Sequence, residues 1–249
     1  MSVTIKSQSE IELMQKAGKI LAKVHEELHK EMKPGMTTKK LDQIAEDMIR
    51  SYDCIPSFLN YNGFPASICV SINDEIVHGI PNKHRILQDG DVVSIDAGVI
   101  YQGFHSDAAR TWIIGEATKD AQGLIDVTKQ SFFEGIKYAK EGCYLHEISA
   151  AIGSYAESFG YGVVRELVGH GIGRSMHESP SIPNFKQHRK GICLQAGMTL
   201  AIEPMINMGS RKVNFKDDGW TVVTKDGSIS AHYENTVLIT KGEPEILSL

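Results

Sequence analysis

Apolar side chains recur every three or four residues along the first fifty positions, as on one face of a helix. Ser9 and Glu12 have the spacing of a capping box at about the point where the repeat begins, and Pro34-Gly35 closes it. A second repeat covers about Thr38 to Tyr52. The pattern therefore predicts two amphipathic helices with inward residues Ile11, Met14, Ala17, Leu21, Val24, Leu28, Leu41, Ile44, Ala45 and Met48.

The rest of the chain alternates between strand-like and helix-like segments. Short runs rich in β-branched residues predict strands, and longer periodic segments predict two more helices, at about 119–140 and 145–159. The predicted strands are 67–72, 92–100, 104–114, 199–206, 220–223 and 230–240.

A shift of 107 residues superimposes the two halves of this pattern. It lays the second predicted helix over the fourth, and GDVVSID (90–96) over GMTLAIE (197–203). The same shift places Asp96 on Glu203, so each half has a carboxylate at the end of an apolar strand. We therefore predict an α+β fold of two duplicated halves that supply acids to a shared site.

Composition narrows the class of protein. The chain has 249 residues, is 41% hydrophobic and carries a net charge of −5. This acidic balance argues against nucleic acid or an anionic membrane as the main partner. The N-terminus lacks the apolar segment of a signal peptide, and the four cysteines lie far apart, so we expect a reduced, cytoplasmic protein.

Four acidic residues lie inside apolar strand segments, where an unpaired charge is costly. We predict that a hairpin around residues 101–103 sets Asp96 directly opposite Asp107. Glu203 and Glu234 occupy two later strands. Any one of these acids could face solvent, but four of them favour a shared site. Carboxylates so close would repel each other, and a bound cation would remove the repulsion.

Two histidines lie in the glycine-rich stretch GHGIGRSMHESP (169–180). The glycines argue against a helix, so the stretch is either a flexible surface loop or a turn that brings His170 and His177 into one cleft. Carboxylates with one or two imidazoles form a hard ligand set suited to a pair of Mn, Fe, Co or Zn ions. Such a pair activates water, so the residues predict a metal-dependent hydrolase.

Seven short motifs occur in order over nearly the whole chain. They are HGIP (78–81), IDAG (95–98), SDAARTW (106–112), GHGIG (169–173), MHESP (176–180), AIEP (201–204) and YENT (233–236). Together they resemble the type I methionine aminopeptidases. The resemblance implies the pita-bread fold, a pseudo-twofold α+β architecture around a curved antiparallel sheet. It also implies removal of the initiator methionine when the second residue is small.

The resemblance assigns roles to individual residues. The implied ligands of two divalent metal ions are Asp96, Asp107, His170, Glu203 and Glu234. Glu203 would also be the general base, His177 would hydrogen-bond the scissile amide, and His78 would contact the substrate backbone. The other histidines match no catalytic position and are assigned surface or structural roles. One of them, His232, stands where glutamine is common in the family.

The resemblance further implies an apolar pocket for the methionine side chain. Its residues would be Phe58, Tyr61, Phe64, Cys69, Met176 and Trp220. Phe58, Phe64 and Met176 replace residues often seen as Cys, Tyr and Phe, which alters the expected shape of the pocket but not the reaction. A monovalent cation, Na⁺ or K⁺, would bind at Asn73 and Ser230 with the backbone near Glu75.

The implied partners are peptides and nascent chains that begin with methionine, with the ribosome as a further candidate. We expect a monomer in which residues 1–249 form one catalytic domain, without an N-terminal extension or a zinc-finger domain. Two alternatives remain open at this point. One is a proline-specific peptidase or type II methionine enzyme of the same fold, and the other is a non-catalytic binding module.

Overall fold

The computed structural model describes residues 3–116 and 118–249. The helices are α1 (Gln8–Glu31), α2 (Thr38–Ser51), α3 (Lys119–Ile136) and α4 (Leu145–Ser158), and Tyr61–Gly63 form a 3-10 turn. The strands are β1 (Ile55–Pro56), β2 (Ile68–Ile72), β3 (Glu75–Val77), β4 (Val92–Tyr101), β5 (Phe104–Ile113), β6 (Gly162–Val163), β7 (Gly169–Gly171), β8 (Glu178–Ile182), β9 (Thr199–Ile202), β10 (Met205–Asn207), β11 (Val213–Phe215), β12 (Val222–Thr224), β13 (Ser230–His232), β14 (Glu234–Leu238) and β15 (Glu245–Ile246).

Helix α1 begins two residues earlier than predicted. Its capping box consists of Ser7 and Glu10, each of whose side chains accepts a hydrogen bond from the backbone N–H of the other. The prediction of Ser9 and Glu12 was therefore wrong. Both pairs have the required spacing, but Glu10 also forms an ion pair at 3.1 Å with Arg174, a contact that the local sequence does not reveal.

The largest sheet orders its main strands β1-β4-β5-β14-β9-β7-β8, with β2 added beside β4 and β15 beside β14. The strands of this sheet pair in antiparallel fashion. Helices α1 and α2 bury their apolar residues against β2 and β4, while α3 and α4 pack with β9 and β14. Within the described ranges, no helix is long and apolar enough to cross a membrane.

The predicted duplication is confirmed at the level of backbone hydrogen bonds. Helices α2 and α4 each have 14 residues and are related by the shift of 107. The N–H of Gly35 donates to Leu87 O at 2.8 Å, and the N–H of Gly142 donates to Leu194 O at 3.0 Å. Both glycines are left-handed, with φ of 87° and 88°. Such a turn strains other residues, which explains why glycine occupies both equivalent positions.

Two segments predicted as single strands are each divided between two sheets. Strands β9 and β10 are separated at Glu203-Pro204, and β13 and β14 are separated at Tyr233. Strands β10 and β13 pair with each other in a three-stranded sheet with β6. Proline has no N–H for a ladder, which favours the first break. The break leaves Glu203 at a strand end rather than within a strand.

The hairpin of β4 and β5 has a different register from the predicted one. Its turn is Gln102-Gly103, both at positive φ, as a two-residue hairpin turn requires. Asp96 therefore pairs with Ala109, and Asp107 pairs with Gly98. The two acids are diagonal neighbours on one face of the sheet, not directly opposite.

The glycine-rich stretch forms strand β7 around His170 and then the predicted turn, as bends at residues 173–177 that lead into β8. Its glycines are needed for close packing between strands. A Cβ atom on Gly169 would lie 2.4 Å from Ala201 O, and one on Gly171 would lie 2.3 Å from Ser179 O. These contacts exclude any larger side chain, so the glycines allow β7 to lie tightly between β8 and β9.

Candidate metal centre and its pocket

Five consecutive strands of the largest sheet supply the predicted metal ligands. Asp96 lies on β4, Asp107 on β5, Glu234 on β14, Glu203 directly after β9 and His170 on β7. Ala109 pairs with Asp96 on one side and with Glu234 on the other. Its small side chain leaves the space between these two acids free. The sheet thus brings together residues that are up to 138 positions apart.

The ring of His170 faces the acids with one nitrogen and the backbone with the other. Nδ1 is 2.8 Å from Gly171 O, and a carbonyl can only accept, so Nδ1 carries the proton. Nε2 therefore presents a lone pair, 3.7 Å from both Asp107 Oδ2 and Glu203 Oε1. One donor atom each from Asp107, His170 and Glu234 lies within 4.8 Å of the others.

Burial and mutual repulsion act together on the four carboxyls. The pKa values of Asp96, Glu203 and Glu234 lie well above the usual range. Burial is the largest cause, and repulsion by the neighbouring carboxylates is the next. Burial raises the pKa of Asp107 to about 8, against opposing hydrogen bonds from Asp96 and Ala108.

The same acids also have unused acceptor atoms. Within residues 3–116 and 118–249, Asp96 Oδ1, Asp107 Oδ1 and Glu234 Oε1 are buried without a hydrogen-bond partner. Oxygen acceptors left unpaired beside an imidazole lone pair are what a divalent cation of the Mn, Fe, Co or Zn type requires. The residues present therefore fit the metal ions that the sequence implies.

This electrostatic arrangement predicts how metal removal changes stability. After chelation, the folded protein retains protons on these carboxyls at a pH where the unfolded chain has lost them. Raising the pH from 7.5 to 9 should therefore lower the melting temperature of the chelated protein. Adding Mn²⁺ at about 1,000 times its Kd should restore about 4 kcal/mol, or roughly 8–16 °C in Tm.

The measurement is differential scanning calorimetry at the two pH values with and without Mn²⁺. The window lies above the ordinary histidine pKa of about 6.5, so the buried histidines, whose pKa values are lowered in the folded protein (to about 4 for His170), are neutral in both the folded and the unfolded chain. A chelated protein that is more stable at pH 9 than at pH 7.5 would contradict the prediction.

An apolar cup adjoins the carboxylates in the same pocket. The cavity has a volume of about 160 Å³, and all six residues predicted for the methionine pocket line it: Phe58, Tyr61, Phe64, Cys69, Met176 and Trp220. Phe64 and Trp220 pack edge to face, with ring centroids 5.1 Å apart. Asn62, which the sequence analysis did not select, lines the pocket as well.

The two remaining predicted histidines line the same pocket. His177 lies at the exposed rim, its ring centroid 4.1 Å from that of His170, and its Nδ1 is 2.8 Å from the hydroxyl of Tyr61. His78 adopts a φ of 60°, uncommon outside glycine. Desolvation lowers the pKa of both rings to about 4. A neighbouring imidazole adds to the effect in each case, His177 for His78 and His170 for His177. Both are therefore neutral near pH 7.

The segment that carries His177 is held by the N-terminal residues. Lys6 Nζ lies 2.7 Å from Glu178 Oε2, and the two side chains are only 5% and 13% exposed. Thr4 Oγ1 donates to the same oxygen at 2.6 Å. Burial would raise the pKa of Glu178, but the hydrogen bonds from Lys6, Thr4 and Ser175 N–H together lower it.

Replacing Lys6 with methionine should therefore lower the free energy of unfolding by about 3 kcal/mol, because it leaves a buried carboxylate without its cation. Denaturant unfolding monitored by circular dichroism measures the change. The exposed pair of Lys30 and Glu27 provides the control, and Lys30→Met should cost less than about 1 kcal/mol. Equal effects of the two substitutions would show that the buried pair is not important for stability.

The residues predicted to bind a monovalent cation lie apart from this pocket. The carbonyl of Asn73 accepts from Ser230 N at 2.9 Å. The side chain of Asn73 accepts from Val92 N and donates to Asp91, and that of Glu75 accepts from Ile72 N. The backbones of Asn73 and Ser230 are thus neighbours, while these side chains serve the local fold. The cation site stays a prediction.

His232 was assigned a surface or structural role, but the structure places it beside the carboxylate cluster. Its Nε2 is 3.9 Å from Glu203 Oε2 and 4.0 Å from Glu234 Oε2. Burial, with smaller effects of His78 and Arg110, lowers its pKa to about 3, so the ring is neutral. The signal that could have found it is its position two residues before Glu234.

Comparison with known proteins agrees with this geometry. The model of metallopeptidase family M24 matches residues 12–241. A methionine aminopeptidase from Clostridium acetobutylicum is 54% identical over 247 residues, covering 99% of each chain. The crystal structure of a methionine aminopeptidase from Thermotoga maritima has a TM-score of 0.97 at 43% identity, with 99% of each chain covered.

A more distant protein shares the fold of this chain without close sequence similarity. The Xaa-Pro dipeptidase of Bacillus anthracis has a TM-score of 0.79 but only 23% identity, and 98% of this chain matches 61% of that chain. That match supports the shared pita-bread fold alone, whereas the first relatives match over their full length. The chain therefore belongs to metallopeptidase family M24 and, within it, to the methionine aminopeptidases.

Proposed function

We propose that this protein removes the initiator methionine from nascent chains and peptides whose second residue is small. The observation that carries the proposal is the pocket in which an apolar cup adjoins a buried carboxylate cluster. Nascent chains are made at ribosomes in the cytoplasm, so we propose that location, with residues 1–249 acting as one monomeric catalytic domain.

The carboxylate cluster and His170 would hold two divalent metal ions. The proposed ligands are Asp96, Asp107, His170, Glu203 and Glu234. When bound, such ions supply Lewis-acid chemistry that polarises a carbonyl and activates water. Manganese, iron, cobalt and zinc all suit this donor set. We also retain the proposal of a Na⁺ or K⁺ ion near Asn73 and Ser230, with the backbone near Glu75.

Proton transfer would be the task of Glu203. Its side chain is 14% exposed at the edge of the carboxylate cluster, so it can reach a water molecule in the pocket, take its proton and pass it to the leaving amine. Neutral His177 would donate a hydrogen bond to the scissile amide. If the phenol of Tyr61 donates to Nδ1, the Nε2–H of His177 is free for that role. His78 would contact the substrate backbone.

The cup explains why one apolar side chain would be accepted. A volume of about 160 Å³ is small beside the roughly 300–1,000 Å³ of sites for drug-sized ligands, so it suits a single residue. Phe58, Phe64 and Met176 offer flat and flexible apolar surface that suits an unbranched thioether.

The proposal is tested by incubating the Mn²⁺-loaded enzyme with Met-Ala-Ser and with an Ala-Pro peptide. Release of methionine from the first, with negligible cleavage of the second, is the expected result. Faster cleavage of the Ala-Pro peptide would assign the protein to the proline-specific peptidases. Cleavage of neither would favour a binding module.

Activity should also fall as the second residue grows. We expect kcat/KM to decrease from Met-Ala-Ser through Met-Val-Ser to Met-Leu-Ser, with at least about a tenfold difference between the first and the last. A larger side chain beside the metal cluster would move the scissile amide out of position. Chromatographic quantification of free methionine measures the series, and equal rates for all three peptides would contradict a restricted second subsite.

A further inference from the structure

His232 is an imidazole enclosed in the protein with neither nitrogen satisfied. The side chain is 2% exposed, and within the described part of the chain both Nδ1 and Nε2 lack a hydrogen-bond partner. Its backbone is held on both sides by Thr111, whose hydroxyl bonds to the N–H and to the carbonyl. Buried polar atoms are rarely left unpaired, so the orientation of this ring needs an explanation.

The ring points one nitrogen between two glutamates. Nε2 is 3.9 Å from Glu203 Oε2 and 4.0 Å from Glu234 Oε2, so it is nearly equidistant from them. These separations exceed the roughly 2.7–3.2 Å of a hydrogen bond. Modest rotations of the two flexible side chains would close either gap, because both carboxylate oxygens can accept a hydrogen bond.

Comparison with His170 indicates whether Nε2 of His232 is suited to bind a metal ion or to donate a hydrogen bond. His170 donates Nδ1–H to Gly171 O, which leaves its Nε2 lone pair free to bind a cation. Metal-binding histidines almost always have such an anchor on the second nitrogen. His232 has no anchor at Nδ1, so nothing stabilises the tautomer with a lone pair at Nε2. The tautomer that gains partners is the one that carries its proton at Nε2, facing the carboxylates.

We propose that His232 is a positioning residue, whose Nε2–H hydrogen-bonds to the carboxylates of Glu203 and Glu234 and orients them toward the metal ions. The inference rests on the proposed function in assigning metals to those glutamates. It adds a residue outside the predicted ligand set, and it gives a physical role to the histidine that replaces the common glutamine, since both side chains can donate a hydrogen bond.

The test compares His232→Leu, which cannot donate, with His232→Gln, which can. Isothermal titration calorimetry of the metal-free proteins with Mn²⁺ gives the dissociation constants. His232→Leu should raise the Kd about 10–100-fold, the range found when partners of metal ligands are removed. His232→Gln should remain within about threefold of the wild type. His232→Asn, whose amide is too short to reach, should behave like leucine and replaces it if that variant does not fold.

Two further measurements separate the alternatives. X-ray absorption of the Co²⁺-loaded proteins counts bound imidazoles, and loss of one in His232→Leu would overturn the proposal in favour of direct coordination. Unchanged Mn²⁺ affinity in His232→Leu, or equal losses in the leucine and glutamine variants, would also overturn it. His25→Leu, which removes a buried imidazole that bonds to Ala108 O, is the control and should leave the Mn²⁺ affinity unchanged.

These readouts concern metal binding and are independent of the substrate. If the wild-type enzyme released no methionine from Met-Ala-Ser, the proposed function would fail. The affinities of the His232 variants would still decide whether His232 positions the glutamates.

Discussion

Replacing Glu234 by glutamine is expected to lower kcat/KM for Met-Ala-Ser at least about a thousandfold, roughly 4 kcal/mol of transition-state stabilisation. The carboxylate is buried and shares the cluster with Asp107 and His170. The amide keeps the shape of the side chain but loses the charge that balances a dication. The fold should persist, because burial of this charge destabilises the protein when no metal is bound. Peptide kinetics and metal analysis of the purified variant measure both effects.

Asp96→Asn should give the same result, since Asp96 occupies the matching position on the other side of Ala109. Asp126→Asn changes an exposed acid on α3 in the same way and serves as the control, with activity near that of the wild type. Either site variant that kept more than about a tenth of wild-type kcat/KM would show that its residue does not bind an essential metal ion.

Replacing His177 by alanine should lower kcat by about 10²–10³ without loss of metal, as expected when a hydrogen-bond donor to the transition state is removed. The ring lies at the exposed rim, and its hydrogen bond is to the hydroxyl of Tyr61. Its removal should therefore change the free energy of unfolding by less than about 1 kcal/mol. Steady-state kinetics and metal stoichiometry of the same preparation test the prediction.

His170→Ala is the matched comparison, because its ring packs against that of His177 yet faces the carboxylates. This variant should lose activity together with one metal ion per chain. If His177→Ala released metal, or if His170→Ala retained both ions, the two roles would have to be exchanged.

Much of the fold could be predicted because it is encoded locally. The apolar periodicity of α1 and α2 and the 107-residue repeat depend on side chains near one another in sequence. The start of α1 shows the limit of such reasoning. Ser7 and Ser9 each have a glutamate three residues later, and the contacts that distinguish them, such as Glu10 with Arg174 and Lys6 N–H with Gly197 O, are to residues far along the chain.

The candidate site was predicted in its composition but not in its arrangement. The cost of burying charge singled out Asp96, Asp107, Glu203 and Glu234 as a group. Their relative placement depends on the two-residue turn at Gln102-Gly103, which shifts the hairpin register, and on the strand break at Glu203. A change of one residue in a turn alters which side chains are paired, and periodicity does not reveal it.

The sequence by itself determined the duplicated halves, the apolar faces of the helices and the chemical identity of the acids and imidazoles. These follow from hydrophobic spacing and from the cost of burying charge. Only the tertiary structure decided that β4, β5, β14, β9 and β7 lie side by side and that Lys6 holds the segment carrying His177. It alone revealed His232 between two glutamates, because contacts between distant residues arise from strand order and packing, which no local pattern records.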